Sequence, residues 1–213
     1  MPGTVWGANG EFMSAPRLDD LQCVFASLQA FVNSEGREYM NVFCAFDNEE
    51  VGSGTKQGAG STFLEDVLWR VNEALGRTGE QYRMTVAESF MISADNAHAV
   101  HPNQPGKADL TNRPYMNEGI VIKYSANQKY TTDAYSGAMM KHICEKAGVP
   151  YQTFHNRSDL PGGSTLGNIL TGSVSLKAVD IGLAQLAMHS AYETAGARDT
   201  EYMIRALQEF YCG

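Results

Sequence analysis

Residues 46–54 read Phe46-Asp47-Asn48-Glu49-Glu50-Val51-Gly52-Ser53-Gly54. The run before them, residues 39–46, has the apolar and aromatic content of a strand. Two adjacent carboxylates at the end of a buried strand are unfavourable unless a proton, a counter-ion or a metal compensates their charge. Because successive side chains of a strand point to opposite faces, we expect Glu49 and Glu50 to have different roles, one at a metal and the other at an open cleft. A solvated acidic turn would explain the same residues.

Length and charge argue against some classes of function. The chain has 213 residues and a mass of 23.3 kDa, which is enough for one domain with a hydrophobic core. Its formal net charge is -8 and its pI about 5.1, so no basic surface is available to neutralise the phosphates of a nucleic acid. No apolar run reaches membrane-spanning length, and no signal-peptide pattern precedes the first helix. We therefore expect neither nucleic acid nor a membrane as a partner.

The cysteines indicate a compartment. The four, Cys23, Cys44, Cys144 and Cys212, are far apart and form no Cys-x-x-Cys pair. This usage is typical of reduced thiols, and it predicts a cytoplasmic location.

Apolar spacing and end signals predict alternating helices and strands. Helices are expected at residues 21–32, from a Thr62-x-x-Glu65 capping box onward, at 79–90, at 132–147 with Gly148 as the stop, and at 199–211. Strands are expected at 39–46, 91–94, 119–124, 149–155 and 174–181. Such alternation predicts an α/β layered domain, in which sites form at the carboxyl ends of the strands.

Five charged residues fall at predicted strand ends or at junctions between a loop and a helix: Asp19, Glu49, Glu50, Asp95 and Lys123. Each has an ordinary explanation on its own. Asp19 could cap a helix, Asp95 could stabilise a loop, and Lys123 could be a surface lysine. Their joint occurrence at such positions indicates a site.

Two histidine-containing stretches and one glycine loop add to these candidates. Asp95 precedes His98 and His101, and clustered Asp and His residues are typical metal ligands. His189 follows an apolar stretch, which by itself is typical of a buried, hydrogen-bonded histidine. Glycines in the loop 157–165 would let backbone N–H groups approach a ligand, although a tight turn has the same composition.

Five stretches occur in a fixed order along the chain: Ser14-Ala15-Pro16-Arg17-Leu18-Asp19-Asp20, Asp47-Asn48-Glu49-Glu50-Val51-Gly52-Ser53, Ser93-Ala94-Asp95-Asn96-Ala97-His98-Ala99-Val100-His101-Pro102-Asn103, Asp159-Leu160-Pro161-Gly162-Gly163-Ser164-Thr165-Leu166-Gly167 and Leu186-Ala187-Met188-His189-Ser190. Together they resemble the aspartyl aminopeptidase and aminopeptidase I family of two-zinc exopeptidases. The resemblance covers essentially the whole chain.

The resemblance implies a three-layer α/β/α zinc-exopeptidase-like domain and a role for each motif. Asp19 resembles the carboxylate that bridges two zinc ions, Glu50 and His189 resemble the other ligands of one zinc, and Asp95 resembles a ligand of the second. Glu49 resembles the general base. In that chemistry a metal-activated water attacks the peptide, and a carboxylate takes its proton and passes it to the leaving amine.

The resemblance also implies a substrate pocket and an assembly. Lys123 matches a family position beside the first side chain of the peptide, where its charge would favour N-terminal Asp or Glu. Gly163, Ser164 and Thr165 resemble the loop that contacts the substrate. Family members form large homo-oligomers, so peptide substrates and further copies of the chain are the expected partners.

Three departures qualify the resemblance. The family's first zinc ligand is a histidine upstream of the bridging carboxylate, whereas the first histidine of this chain is His98. The family chain is about twice as long, so residues 1–213 correspond to the carboxyl-terminal portion of its catalytic domain, without the upstream half and the inserted dimerisation domain. Asp20 stands where the family more often has Asn. The resemblance further implies a cis peptide bond between Asp19 and Asp20.

Two alternatives stay open. The chain could be a non-catalytic fragment, or a binding or assembly subunit derived from such an enzyme, because it lacks the first zinc-ligand histidine. An unrelated hydrolase with a Cys–His or paired-carboxylate mechanism is the other, and it would keep its activity after metal chelation.

Overall fold

The computed structural model describes residues 1–36 and 38–213 and has six α-helices and nine β-strands within them. The helices are α1 (Leu18–Val32), α2 (Phe63–Ala74), α3 (Gly79–Glu88), α4 (Ala134–Ala147), α5 (Leu166–Leu170) and α6 (Asp199–Cys212). The strands are β1 (Thr4–Trp6), β2 (Phe12–Ala15), β3 (Phe90–Ala94), β4 (Ala97–His98), β5 (Ile120–Tyr124), β6 (Tyr151–His155), β7 (Lys177–Gly182), β8 (Ala184–Leu186) and β9 (Glu193–Gly196).

The strands form two mixed sheets that share a junction. One sheet has the order β3-β7-β5-β6 and the other β1-β2-β9-β8-β4. Strands β3 and β7 run parallel in the first sheet and continue as β4 and β8, which run parallel in the second. Across the gap the Asp95 N–H donates to the Ile181 carbonyl at 3.0 Å, and the Ala97 N–H donates to the Leu183 carbonyl at 2.8 Å. Asp95 therefore lies at the carboxyl end of β3, where the chain passes from one sheet to the other.

Helices cover both faces of the four-stranded sheet. On one face Ile92 and Ile181 pack in a cluster with α1, α4 and α6. On the other face Met91 packs with Leu64 of α2 and Leu170 of α5. Alternate strand residues thus contact opposite helical layers, as the pleat of a strand requires. The predicted α/β class is confirmed.

All five predicted helices and four of the five predicted strands are found, because their signals are local, but helix α5 and every strand of the sheet β1-β2-β9-β8-β4 were not predicted. Helix α4 ends at Gly148, which has a φ of 63° and lies in the left-handed region that glycine favours. Helix α2 begins as predicted, but its capping box is wrong. Thr62 has φ -79° and ψ 1° and caps no backbone N–H, and its hydroxyl donates to Asp66 Oδ2 at 2.7 Å instead.

The strand predicted at residues 39–46 is wrong. No residue of this run belongs to a strand. A strand is stable only beside a partner, and here the aromatic side chains pack on helices instead. The rings of Phe43 and Phe31 lie 6.2 Å apart, and those of Phe46 and Phe63 also lie 6.2 Å apart.

The helix predicted at residues 21–32 is confirmed as α1. The apolar residues at helical spacing that predict it, Leu21, Val24, Phe25, Leu28, Phe31 and Val32, do not form its buried face. Leu21, Phe25 and Val32 are 59%, 53% and 59% exposed. Small residues, Ala26 and Ala30, are fully buried beside α6, because they let the two helices approach closely.

The start of α1 also differs from ordinary capping. Asp19 and Asp20 have non-helical backbone angles, and no side chain caps the helix. The peptide bond between the two is cis, as the resemblance implied.

Across residues 1–36 and 38–213, no helix combines the length and the apolar character that crossing a bilayer would require.

Candidate metal centre

Three distant segments bring one set of donor atoms together. Asp19 lies at the start of α1, Glu50 in a 3₁₀ turn (Glu49–Val51), and His189 in the turn after β8. His189 Nε2 lies 3.0 Å from Asp19 Oδ2 and 3.0 Å from Glu50 Oε2. The three donor atoms all lie within 4.8 Å of one another. The structure therefore brings together the three side chains that the resemblance assigns to one zinc.

A second set shares one member with the first. Carboxylate oxygens of Asp19, Asp20 and Asp95 also lie within 4.8 Å of one another. Asp19 belongs to both sets, which is the arrangement expected of a bridging carboxylate. Asp20 belongs only to the second set, where the sequence analysis had not placed it.

Burial and crowding leave these carboxylates poorly stabilised. Burial, followed by the charges of Asp95 and Glu50, raises the pKa of Asp19 to about 8. Burial and the charge of Asp95 also raise the pKa of Asp20. Asp19 Oδ1 is buried and has no hydrogen-bond partner among the described residues. A buried carboxylate oxygen without a donor is costly, and a divalent cation at Asp19 Oδ1 would remove that cost.

The donor chemistry fits zinc. Zinc binds carboxylate oxygens and imidazole nitrogens and takes four ligands in most sites. Asp19, Glu50 and His189 supply three such donors at one position. The second set supplies carboxylates alone, and a zinc ion there would need a further donor.

Glu49 and Glu50 do have different surroundings, but not for the predicted reason. They lie in a 3₁₀ turn and not at the end of a strand, so strand alternation does not separate them. Glu50 faces His189, whereas Glu49 is half-buried. Burial, followed by the charges of Asp95 and Glu50, raises the pKa of Glu49 to about 7.

Lys123 is a buried cation beside the second carboxylate set. It is 2% exposed, and its Nζ lies 3.3 Å from Asp95 Oδ2 and 2.7 Å from the Asn96 carbonyl. The ring of Tyr130 lies 5.5 Å from Nζ. Burial acts to lower the pKa of Lys123, but the charges of Asp95 and Tyr130 outweigh it and the net shift is upward. The surface-lysine alternative is therefore wrong.

The glycine loop is anchored by a carboxylate that the sequence analysis overlooked. Gly163 and Ser164 are exposed, whereas Thr165 is buried and its hydroxyl donates to Asp180 Oδ1 at 2.6 Å. Asp180 stands between Val179 and Ile181 in β7. A lone acid inside an apolar strand is the signal that could have identified it.

Two other residues matter near the donors. His98 belongs to neither set, although burial and the charges of Lys123 and His189 lower its pKa. Glu193 is 2% exposed and accepts the backbone N–H groups of Asp19 and His189. Sequence reasoning could not find Glu193, because it contacts backbone N–H groups whose positions depend on the fold and not on a side-chain motif.

Comparisons with known proteins identify the family of the chain. The model of the aminopeptidase I zinc metalloprotease family (M18) matches residues 1–211. A probable M18 family aminopeptidase 2 of Clostridium acetobutylicum is 50% identical over 209 residues, which are 98% of this chain and 48% of that protein.

Solved structures give the same result. The chain superposes on a chain of the Ape4 and Nbr1 complex with a TM-score of 0.93 at 39% identity, covering 99% of this chain and 41% of that one. It superposes on the mApe1 dodecamer of S. cerevisiae with a TM-score of 0.86 at 30% identity, covering 99% and 48%. The chain spans about half the length of the curated relatives it matches. On these findings the chain belongs to the M18 family of aminopeptidase I zinc metalloproteases.

Proposed function

We propose that residues 1–213 form the carboxyl-terminal part of the catalytic domain of a metal-dependent aminopeptidase that releases N-terminal residues from peptides. The observation that carries the proposal is the convergence of Asp19, Glu50 and His189, with a buried oxygen of Asp19 left without a donor among the described residues. The family supports the same chemistry.

In this proposal the chain holds two zinc ions. Asp19, Glu50 and His189 hold one of them, and Asp19 and Asp95 contribute to the other. The second set is all carboxylate, so its remaining donor would come from the half of the relatives that this chain does not cover. When bound, zinc supplies a Lewis acid that polarises the scissile carbonyl and lowers the pKa of water.

Glu49 acts as the general base. In the metal-free protein its pKa is about 7, and the positive charge of bound zinc would lower that pKa, so Glu49 would be ionised near neutral pH. It can therefore accept a proton from the attacking water and later donate it to the leaving amine.

Lys123 and the glycine loop form the substrate pocket. Lys123 is 2% exposed and paired with Asp95, so its charge would act on an N-terminal Asp or Glu through its electric field, giving a preference for acidic residues. The hydroxyl of Thr165 already donates to Asp180. The loop therefore offers the peptide the exposed Gly163 and Ser164, together with its backbone N–H groups.

We also propose that the chain works in a homo-oligomer in the cytoplasm, on peptides and not on nucleic acid. The solved mApe1 relative is a dodecamer, which supports the assembly. The cysteine usage and the net charge of -8 support the location and the exclusion of nucleic acid.

The activity is tested in a chain extended by the upstream half that the relatives have. Zinc-dependent release of N-terminal residues that stops on chelation is the expected result. Activity that survives chelation would overturn the proposal. An extended protein that binds zinc and never cleaves peptides would favour the non-catalytic alternative. That alternative is also consistent with a second donor set that contains carboxylates alone.

The base is tested with Glu49→Gln in the extended chain. Glutamine cannot accept the proton, so kcat should fall about 10²- to 10⁴-fold. Zinc content should not change, because Glu49 is not a ligand. Turnover that persists in this variant would remove Glu49 from the role.

The pocket is tested with Lys123→Met, which keeps the length of the stem and removes the charge. Loss of this buried positive charge should lower kcat/KM for N-terminal Asp or Glu about tenfold more than for N-terminal Leu. Equal losses on both substrates would contradict the assignment, since they would show a general effect on the ion pair with Asp95.

A further inference from the structure

Glu193 links the backbones of Asp19 and His189, two of the three members of the first donor set. It is the first residue of β9 and is 2% exposed. Its Oε1 accepts the backbone N–H of His189 at 2.6 Å, and its Oε2 accepts the backbone N–H of Asp19 at 2.9 Å. One buried carboxylate therefore joins two backbone segments whose side chains present donor atoms 3.0 Å apart.

Both N–H groups belong to backbone that regular structure does not satisfy. His189 has a φ of 66°, in the left-handed region that is unfavourable for a residue with a side chain. Asp19 has φ -84° and ψ 110°, so it lies outside the helical geometry of α1. An external acceptor is needed at each, and Glu193 supplies both with one side chain.

We propose that Glu193 is a positioning residue, which fixes the backbones of Asp19 and His189 so that their side chains present a preformed pair of zinc donors. This inference rests on the metal centre of the proposed function. Partners that orient metal ligands contribute strongly to affinity, because the ligands need no reorganisation when the metal arrives.

The choice of variant follows from the hydrogen-bond count. A carboxylate offers an acceptor oxygen to each N–H group, whereas glutamine has one acceptor oxygen and an NH₂ donor. In Glu193→Gln one backbone N–H therefore faces another donor. Glu193→Asp keeps both acceptor oxygens on a shorter stem, and it should lie between the unmodified chain and the glutamine variant.

The chain offers a matched control. Asp199 is fully buried and also accepts two backbone N–H groups, from Asn117 at 2.6 Å and from Gly119 at 3.0 Å. Asp199 belongs to neither donor set. Asp199→Asn removes the same kind of contact elsewhere in the fold, so it measures the purely structural consequence.

The experiment measures the zinc dissociation constant, by competition with a chelating dye, and the melting temperature of the metal-free protein for each variant. All variants are made in the full-length protein that contains residues 1–213. Glu193→Gln should weaken zinc binding about 10- to 100-fold, while Asp199→Asn lowers the melting temperature and leaves the dissociation constant within about twofold. Equal melting losses with zinc affinity unchanged in both would overturn the proposal. An unmodified chain that binds no zinc would instead overturn the metal centre itself, and this inference with it.

A second measurement serves if Glu193→Gln does not fold. Amide hydrogen exchange in the unmodified, metal-free protein should show protected N–H groups at Asp19 and His189, because Glu193 accepts both before any metal binds. Fast exchange of the His189 amide without metal would contradict preformation.

Discussion

Asp19 and Asp180 are both buried carboxylates, yet their surroundings differ. Asp180 is fully buried, and its Oδ2 accepts the backbone N–H of Thr131 at 2.5 Å and the Thr131 hydroxyl at 2.7 Å. Its Oδ1 accepts the Thr165 hydroxyl at 2.6 Å. Asp19 has one oxygen without a donor among the described residues, and its pKa is raised to about 8.

The difference shows what identifies a metal ligand. Burial alone does not, because Asp180 is the more buried of the two and hydrogen bonds meet its charge. A divalent cation would instead stabilise a buried carboxylate that has one oxygen without a donor and other acids beside it. Asp180 anchors two loops, whereas Asp19 has the surroundings that we propose for a metal ligand.

The largest effect that would sharpen this contrast is expected from Asp19→Asn. The amide is a poor zinc ligand, and Asp19 is common to both donor sets. Since even partners of ligands contribute about 10- to 100-fold, loss of the shared donor should weaken zinc binding more than about 100-fold. Competition with a chelating dye measures the loss.

The same variant makes a second prediction with a definite sign. Asp19 has its pKa raised by folding, so its charge destabilises the metal-free fold above the pKa of the unfolded chain. Removing that charge should raise the free energy of unfolding at pH 8, measured by urea denaturation. A large loss of stability would make Asp19 a structural anchor like Asp180.

The next effect is the pH dependence of zinc affinity. Because the pKa of Asp19 is about 8, the metal-free carboxyl holds a proton below that pH, and zinc must displace it. Affinity should therefore fall at least about tenfold for each pH unit between pH 7 and 6. Calorimetry in two buffers of different ionisation enthalpy should record proton release. Zinc affinity that is constant between pH 6 and 8 would break the contrast.

The smallest effect on zinc is expected from Asp180→Asn. The substitution leaves a donor facing Thr131 or Thr165, so the free energy of unfolding should fall by about 1–3 kcal/mol. The zinc dissociation constant should stay within about twofold, since Asp180 contacts no donor of either set. A marked loss of zinc affinity would show that the two carboxylates are not independent.

Local signals in the sequence predicted much of the fold. The stop at Gly148 and the apolar runs of β5 and β7 depend on residues close in sequence, and they are correct. The prediction of a strand at 39–46 was wrong because strand pairing depends on a partner that is distant in sequence. The buried face of α1 was not predicted correctly because the contact with α6 buries Ala26 and Ala30 and not the larger apolar residues.

The candidate site divides in the same way. The motifs identified Asp19, Glu50, Asp95 and His189, and the structure brings them together. Their supports could not be predicted, because the hydrogen bonds of Glu193 reach backbone N–H groups whose positions depend on the whole fold. The apolar periodicity of a sequence does not predict hydrogen bonds between a side chain and a backbone N–H group.

Zinc titration of the unmodified protein beside His189→Ala tests the central claim most directly, with His142→Ala as the control. His142 is an exposed histidine on α4 that belongs to neither donor set. Because His189 is the one imidazole in the two sets found among the described residues, its loss should weaken zinc binding more than about tenfold while His142→Ala binds normally. Equal zinc affinity in the unmodified protein and in His189→Ala would contradict the account.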